Sequence, residues 1–189
     1  MGSDDNEAGK AAGKYLADKG QNSGICVNTL PGSANIEAFC AGFVAGMTEA
    51  GGAAEVLPLP ASSFGSQTAV AQAVRAHLLQ NPGINGVFTV SDVDANAAIS
   101  GIQQSGKMGQ VAVCGINFNE TILENIKSGT QACAIDQQGY MQGFLAVSIL
   151  NANVNYGLTV PTREILTGLG FVDASNVDQV ISGVAQGTR

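Results

Sequence analysis

The sequence is poor in the side chains on which most catalytic and metal sites depend. Charged residues make up 12% of its 189 residues, and it has one histidine, His77. No serine or cysteine is placed to partner His77, so we expect a partly buried surface histidine and no general base. One histidine without clustered carboxylates also supplies no set of metal ligands. We therefore expect neither a serine or cysteine hydrolase nor a metal site.

Clustered basic residues and long apolar runs are also missing. The eight lysines and arginines are spread singly and the net charge is −7, which disfavours nucleic acid and anionic membranes as partners. No apolar run reaches the ~18 residues that a membrane-spanning helix needs, so we expect no membrane insertion. The N-terminus lacks the basic and apolar regions of a signal peptide, so an exported form would need a longer precursor.

Nucleotide-binding loops are absent although the chain has 25 glycines. The first predicted strand is followed by Leu-Pro-Gly-Ser-Ala-Asn, which is neither a dinucleotide fingerprint nor a Walker loop. Thr29 and Ser33 alone are too few hydroxyls for a flavin phosphate site of the flavodoxin kind. We expect no cofactor.

The four cysteines form no C-x-x-C pair and do not have the spacing of a zinc site. Cys26, Cys114 and Cys133 fall inside predicted strands, where cysteine usually behaves as a small apolar residue, and Cys40 lies in a predicted helix. We expect free, buried thiols, since a disulfide requires a backbone geometry that sequence does not show.

Apolar residues are abundant, at 45%, and most of the chain should be packed. The stretch from Gly86 to Asn117 is the clearest unit: two short apolar runs flank a helical segment that begins near Asp92 and Asp94 and ends near Gly106. Helix capping and the helix dipole explain both aspartates. The same alternation recurs along the chain and predicts five strands, at residues 24–30, 54–59, 87–90, 111–114 and 131–136.

Strands that alternate with helices predict a three-layer α/β domain, with a doubly wound parallel sheet between two layers of helices. The helix that starts at Tyr140 is apolar on nearly all sides, so something else must cover it. The tail from Gly157 has little core of its own and is expected to cross a larger body, with an extended segment at 163–166, a Phe171-Val172 pair and a short terminal helix.

Neutral polar residues follow three of the strands, namely Ser91, Asn117 and Gln137, with Phe64 just after a fourth. Ligands of open parallel sheets bind at the carboxyl ends of the strands. Amides and hydroxyls beside an aromatic ring suit a polyhydroxylated ligand, although polar residues also end strands for local reasons.

The order of motifs resembles the second lobe of a type 1 periplasmic binding protein of the ribose and simple-sugar class. The matching segments are Ser3-Asp4-Asp5, Ala41-Gly42-Phe43, Val87-Phe88-Thr89-Val90-Ser91-Asp92, Val113-Cys114-Gly115-Ile116-Asn117, Ile126-Lys127-Ser128-Gly129, Ile135-Asp136-Gln137-Gln138 and Thr167-Gly168. The resemblance implies a flavodoxin-like strand order and non-catalytic binding of a sugar between two lobes. It also implies delivery to an ABC permease or chemoreceptor, and a periplasmic or extracellular location.

The resemblance also assigns roles to single residues. Phe64 is similar to the family's stacking aromatic residue, Ser91 to its strand-end asparagine, and Asn117 to its sugar-binding aspartate. Gln137 is similar to its hinge glutamine, and Phe39 falls where the family has an arginine. Without that arginine and aspartate two charge-assisted contacts are lost, so the ligand is expected to be less polar than a free sugar. The ligand-binding residues predicted in this way are Phe39, Phe64, Ser91, Asp92, Asn117 and Gln137.

The resemblance further implies that the family's first lobe is missing from this chain. Residues 1–139 would then form the ligand-binding lobe, and residues 140–189 would pack with the missing one. We expect two copies to associate through the helix from Tyr140 to Leu150. Two alternatives stay open: the effector-binding lobe of a lactose-repressor-type transcription regulator, which would need a DNA-binding segment, and a flavodoxin-like enzyme, which would carry a flavin.

Overall fold

The computed structural model describes residues 1–160 and 162–189, and Pro161, in the predicted crossing segment, lies outside the described residues. The strands are β1 (Ser23–Asn28), β2 (Ala53–Pro58), β3 (Gly86–Thr89), β4 (Ala112–Ile116), β5 (Cys133–Asp136) and β6 (Gly170–Val172). The helices are α1 (Asp5–Asp18), α2 (Ala34–Glu49), α3 (Gln67–Gln80), α4 (Asp92–Gln104), α5 (Glu120–Lys127), α6 (Gly139–Tyr156) and α7 (Val177–Ala185).

The strands form one twisted sheet in the order β2-β1-β3-β4-β5-β6. The first five run parallel, whereas β6 pairs antiparallel with β5. Helical crossovers between parallel strands place every strand's carboxyl end on the same edge of the sheet. The predicted doubly wound fold and its flavodoxin-like strand order are confirmed, with β6 as an additional edge strand.

Two hydrophobic cores lie on opposite faces of the sheet. On one face α1 and α2 contribute buried side chains such as Leu16, Phe43 and Met47. On the other face α3, α4, α5 and α7 pack against alternate residues of the same strands, so Ile25 and Val27 face this layer while Cys26 faces the first. This alternation is the period-two geometry of a strand buried on both sides.

Helices α1 and α2 are in backbone contact. Glycines make this possible: a Cβ placed on Gly42 would lie 2.0 Å from the carbonyl oxygen of Asn6, and one on Gly46 would lie 2.1 Å from that of Lys10. Gly9 and Gly13 meet the backbone of α2 in the same way. The four glycines therefore fix the separation of two helices whose N-terminal ends reach the carboxyl edge of the sheet.

The expectation of free thiols is wrong. Cys26 on β1 is bonded to Cys40 on α2, with 5.4 Å between their Cα atoms, and Cys114 on β4 is bonded to Cys133 on β5, with 4.7 Å. Cys114 and Cys133 are register partners on adjacent parallel strands. Tertiary packing therefore brings together cysteines that are 14 and 19 residues apart in sequence.

The expected capping of α4 by Asp92 and Asp94 is corrected. The cap is Ser91, whose hydroxyl oxygen accepts a hydrogen bond from the backbone N–H of Asp94 at 3.0 Å. Asp94 is buried, its carboxylate accepts a hydrogen bond from the Thr29 hydroxyl, and burial raises its pKa above the ordinary value. Both aspartates still lie in the first turn, where the helix dipole favours negative charge.

Helix α6 buries none of its residues in the described chain, and its exposed apolar side chains are Tyr140, Met141, Phe144, Val147, Leu150, Val154 and Tyr156. In contrast, β6 and α7 pack into the core on the side of α5 through Val172, Val177 and Val180. The core of the lobe thus continues beyond residue 139, and the division at that residue stays a prediction. Within the described residues, no helix combines the length and apolar content that crossing a membrane requires.

Candidate functional site

An open cavity of about 540 Å³ lies at the carboxyl edge of the sheet. The turns after β3, β4 and β5 line it, together with the N-terminal ends of α1, α2 and α6. Its side chains are largely neutral and hydrogen-bonding, with one aromatic ring and one carboxylate. The polar and aromatic residues of the lining are Ser3, Asp5, Asn35, Phe39, Asn117, Gln137 and Gln142.

Asn117 follows β4 directly and has a left-handed backbone, with φ of 63°. Its N–H donates to the carbonyl oxygen of Ile135 at 2.8 Å, which holds the turn against β5. Gln138, after β5, is the second non-glycine residue with positive φ among those described, at 57°. Left-handed conformations are uncommon outside glycine and cluster at binding sites, and asparagine adopts them more readily than glutamine, so the turn at Gln138 is the stronger candidate for a functional constraint.

Gln137 joins three chain segments that meet at the cavity. Its side-chain amide donates a hydrogen bond to the Ser3 hydroxyl at 2.9 Å. Its backbone carbonyl oxygen accepts hydrogen bonds from the Gln142 side-chain amide at 2.7 Å and from the Thr167 hydroxyl at 3.2 Å. The Thr167 N–H in turn donates to the carbonyl oxygen of Gly2 at 2.9 Å. The segments at residues 2–3, 137–142 and 165–167 are therefore held together as one polar junction.

Phe39 supplies the aromatic surface of the cavity from α2, one residue before the bridged Cys40. Its side chain is 4% exposed and belongs to the core shared by α1, α2 and the sheet. Asn35, one helical turn earlier, adds an amide to the same wall. The α2 wall therefore combines a largely buried ring with a neutral donor and acceptor.

Asp5, the first residue of α1, is the one ionisable residue among the described residues that line the cavity. Partial burial, and secondarily the charge of Asp4, raise the pKa of its carboxyl above the ordinary value. Asp4 itself caps α1, because its carboxylate accepts a hydrogen bond from the Glu7 N–H at 3.0 Å. Asp5 is thus free of any capping role.

Three of the six predicted site residues line the cavity, namely Phe39, Asn117 and Gln137. The other three lie outside its lining. Phe64 is 61% exposed in the loop after β2, and Ser91 caps α4. Asp92 accepts a hydrogen bond from the Asn119 amide at 2.7 Å.

His77 is far from a catalytic arrangement. Its ring contacts the Glu55 carboxylate at 2.9 Å, between the C-terminal end of α3 and strand β2. Across residues 1–160 and 162–189, no three His, Cys, Asp or Glu residues lie close enough together to hold a metal ion.

Comparison with known sequences decides the family. A family model described as a periplasmic binding protein domain matches residues 1–158. The chain belongs to the periplasmic binding protein family. A curated relative, the xylose/arabinose-binding protein XylF of Sulfolobus acidocaldarius, is 26% identical over 168 residues, which are 86% of this chain and 40% of the relative.

Solved structures of transport proteins share the fold. A carbohydrate transporter from Acidothermus cellulolyticus, solved with myo-inositol, is 30% identical and superposes with a TM-score of 0.85 over 100% of this chain and 64% of its own. A periplasmic ribose ABC transporter from Conexibacter woesei has 24% identity and a TM-score of 0.86, covering 99% of this chain and 63% of its own. The chain thus spans less than two thirds of these relatives.

Four polar residues of this periplasmic binding protein's cavity were missed by sequence reasoning: Ser3, Asp5, Asn35 and Gln142. They come from the N-terminal ends of three helices, whereas the predicted polar residues all follow strands. A signal existed for two of them, since Ser3 and Asp5 lie in a segment that carried the family resemblance. Nothing in the local sequence distinguishes Asn35 or Gln142 from other surface amides.

Proposed function

We propose that this chain is the ligand-binding lobe of an ABC transporter substrate-binding protein, and that it binds a sugar or sugar-like molecule without chemical change. The observation that carries the proposal is the cavity at the carboxyl edge, whose wall is built from amides, a hydroxyl and an aromatic ring. Amides and hydroxyls both donate and accept, as the hydroxyl groups of a polyol require. The apolar face of a sugar ring is complementary to a phenyl ring.

Asn117 and Gln137 are the proposed central contacts. Each extends from a strand end, and the backbone of Asn117 is held in a left-handed conformation against β5. The Gln137 amide already contacts Ser3, so a ligand hydroxyl at this position would join an existing network. Phe39, whose ring is largely buried, is the proposed apolar contact within the cavity. For Phe64, Ser91 and Asp92 a ligand contact stays a prediction, and the Phe64→Ala variant below tests the first of them.

The relatives support a polyhydroxylated ligand. The Sulfolobus protein is named for xylose and arabinose, and the Acidothermus protein was solved with myo-inositol. These compounds are neutral rings or chains with several hydroxyl groups. They define the first compounds to test, without distinguishing a pentose from a cyclic polyol.

Non-catalytic binding fits the chemistry of the cavity. Its serine, Ser3, receives a hydrogen bond from Gln137, and the chain's histidine is engaged with Glu55. The two disulfides favour a periplasmic or extracellular location, because such bonds persist in oxidising compartments. We further propose an ABC permease or a chemoreceptor as the protein partner of the complete binding protein.

The exposed helix α6 supports a second packing partner. Its 18 residues include no charged side chain and none is buried. In relatives of full length we propose that the first lobe covers it. For this chain we propose that a second copy covers α6. Each molecule has a net charge of −7, but two copies that meet along the uncharged α6 bring no like charges together there.

The binding proposal is tested by thermal unfolding with D-xylose, L-arabinose, D-ribose, D-galactose and myo-inositol at millimolar concentrations. A ligand at about 100 times its Kd stabilises the chain by roughly 2.7 kcal/mol, or about 5–10 °C at this size. The shift should disappear in Asn117→Ala and Gln137→Ala. Phe64→Ala should retain it if only the lining binds, and should lose it if the exposed ring folds over the ligand. No shift with any compound would contradict the proposal.

The α6 contact is tested by the molar mass in solution. Light scattering after size exclusion should give a dimer, and Phe144→Glu with Leu150→Glu should give a monomer of the same secondary structure. A wild-type monomer at high concentration would exclude a second copy as the partner of α6. The remaining proposal would be that α6 packs against a first lobe, as proposed for the relatives of full length.

A further inference from the structure

The cavity contains a negative charge and no positive one. Among the described residues that line it, five polar side chains are neutral, Asp5 is the one ionisable residue, and none is a lysine, arginine or histidine. A ligand that enters therefore meets one carboxylate whose charge no neighbouring cation balances. This asymmetry restricts the charge of what binds.

The Asp5 carboxylate has no hydrogen bond and no ion pair to any described residue, although three other acidic side chains form ion pairs with lysine or arginine. It is half-buried, so solvation does not fully replace the missing donors. A position at the start of α1 explains an acidic residue there, because the helix dipole favours it. It does not explain the cavity-lining position, and the neighbouring Asp4 already supplies the cap.

An ionised carboxylate only accepts hydrogen bonds, and bonds to a charged acceptor are stronger than neutral ones. Hydroxyl and ammonium groups of a ligand would provide the donors that Asp5 lacks. A ligand carboxylate or phosphate would instead place two negative charges in one partly desolvated cavity, which is unfavourable. Among the described residues of the lining, Asp5 is therefore the one source of a charge-assisted contact to a ligand.

We propose that Asp5 is a specificity-determining residue of this site: its carboxylate accepts hydrogen bonds from the ligand, so that the site takes neutral or aminated polyols and rejects uronates and sugar phosphates. The proposal rests on the proposed function, because it assumes that the cavity binds a polyhydroxylated molecule. It adds the charge class of that molecule and the residue that selects it.

The test compares matched compounds that differ in one substituent: D-glucose, D-glucosamine and D-glucuronate; the corresponding galactose series; and myo-inositol with myo-inositol 1-phosphate. Calorimetric Kd values at pH 7 are measured for the wild type, Asp5→Asn and Asp4→Asn. Asp4→Asn is the control, since it removes the same charge at the same helix end and retains a good capping side chain outside the cavity. Unfolding curves establish that each variant is folded.

The wild type should bind a neutral or aminated member and reject its acidic counterpart. Asp5→Asn should raise the Kd of the neutral member by about tenfold or more. It should also narrow the difference in Kd between the neutral and acidic members. Asp4→Asn should change neither. If Asp5→Asn behaves like Asp4→Asn, or if the wild type binds an acidic member as tightly as the neutral one, this inference is overturned while the proposed function stands. If the wild type binds no compound, both are overturned.

Discussion

Replacement of Gly42 by alanine should push apart α1 and α2, whose N-terminal ends form two walls of the cavity. The added Cβ would lie 2.0 Å from the Asn6 carbonyl oxygen and 2.9 Å from the Lys10 nitrogen. Ordinary contact begins at 3.4 Å, so α1 and α2 have to move apart by about 1.4 Å. The obstacle is backbone on both sides, and no side-chain rotation removes it.

The expected cost follows from two opposing effects. Overpacking of a close-packed interior costs about 1–3 kcal/mol, and a backbone clash belongs at the upper end of that range. Alanine returns about 1 kcal/mol through its better helix propensity. We therefore expect Gly42→Ala to lower the free energy of unfolding by about 2 kcal/mol and the Tm by roughly 4–8 °C.

The measurement is urea unfolding followed by circular dichroism, with Gly143→Ala as the matched control. Gly143 is also inside a helix, α6, but a Cβ there would meet nothing within 4 Å. That variant should gain up to about 1 kcal/mol, so the two substitutions are expected to have opposite signs. A Gly42→Ala protein as stable as the wild type would refute the inferred backbone contact between α1 and α2.

Two further predictions concern the covalent bonds and the buried carboxylate. Removal of either disulfide, as Cys26→Ala with Cys40→Ala or as Cys114→Ala with Cys133→Ala, should lower the free energy of unfolding in urea by about 3 kcal/mol. Dithiothreitol should lower the stability of each double variant further, because it reduces the remaining disulfide. A wild-type unfolding midpoint that does not change with the reductant would contradict this prediction. Burial raises the pKa of the Asp94 carboxyl above its ordinary value of 3.8, so the folded chain binds the carboxyl proton more tightly than the unfolded chain does. The contribution of Asp94 to stability therefore falls as pH rises from 3.8 through the raised pKa. The difference in unfolding free energy between wild type and Asp94→Asn should therefore vary with pH in that range, and a constant difference would show that Asp94 does not titrate with folding.

The fold was predictable because its signals are local. Short apolar runs and the helical segments between them predicted the elements in order, and their alternation predicted the sheet. Helix α6 runs to Tyr156, beyond the predicted segment from Tyr140 to Leu150, because the helix continues until Gly157 takes a left-handed conformation. Strand β6 was foreseen only as an apolar pair, since its pairing with β5 is a long-range contact.

The site was predictable only where it follows strands. Asn117 and Gln137 come directly after β4 and β5, and topology alone places such residues at one edge. Asp5 and Asn35 reach the same cavity because α1 and α2 pack closely against each other and against the sheet. That packing depends on glycine contacts between residues about 35 positions apart in sequence. The disulfides were missed for the same reason, since they depend on strand register and helix packing.

The connectivity of the two disulfides bears on how the chain matures. Four cysteines allow three pairings, and this protein has the one in which each cysteine is bonded to its nearest neighbour in sequence, the first to the second and the third to the fourth. A chain that enters an oxidising compartment from its N-terminus presents Cys26 and Cys40 together before Cys114 arrives. Cys26 and Cys40 can therefore pair first, and once they are bonded Cys133 is the cysteine left for Cys114, so N-terminus-first entry favours the native bonds.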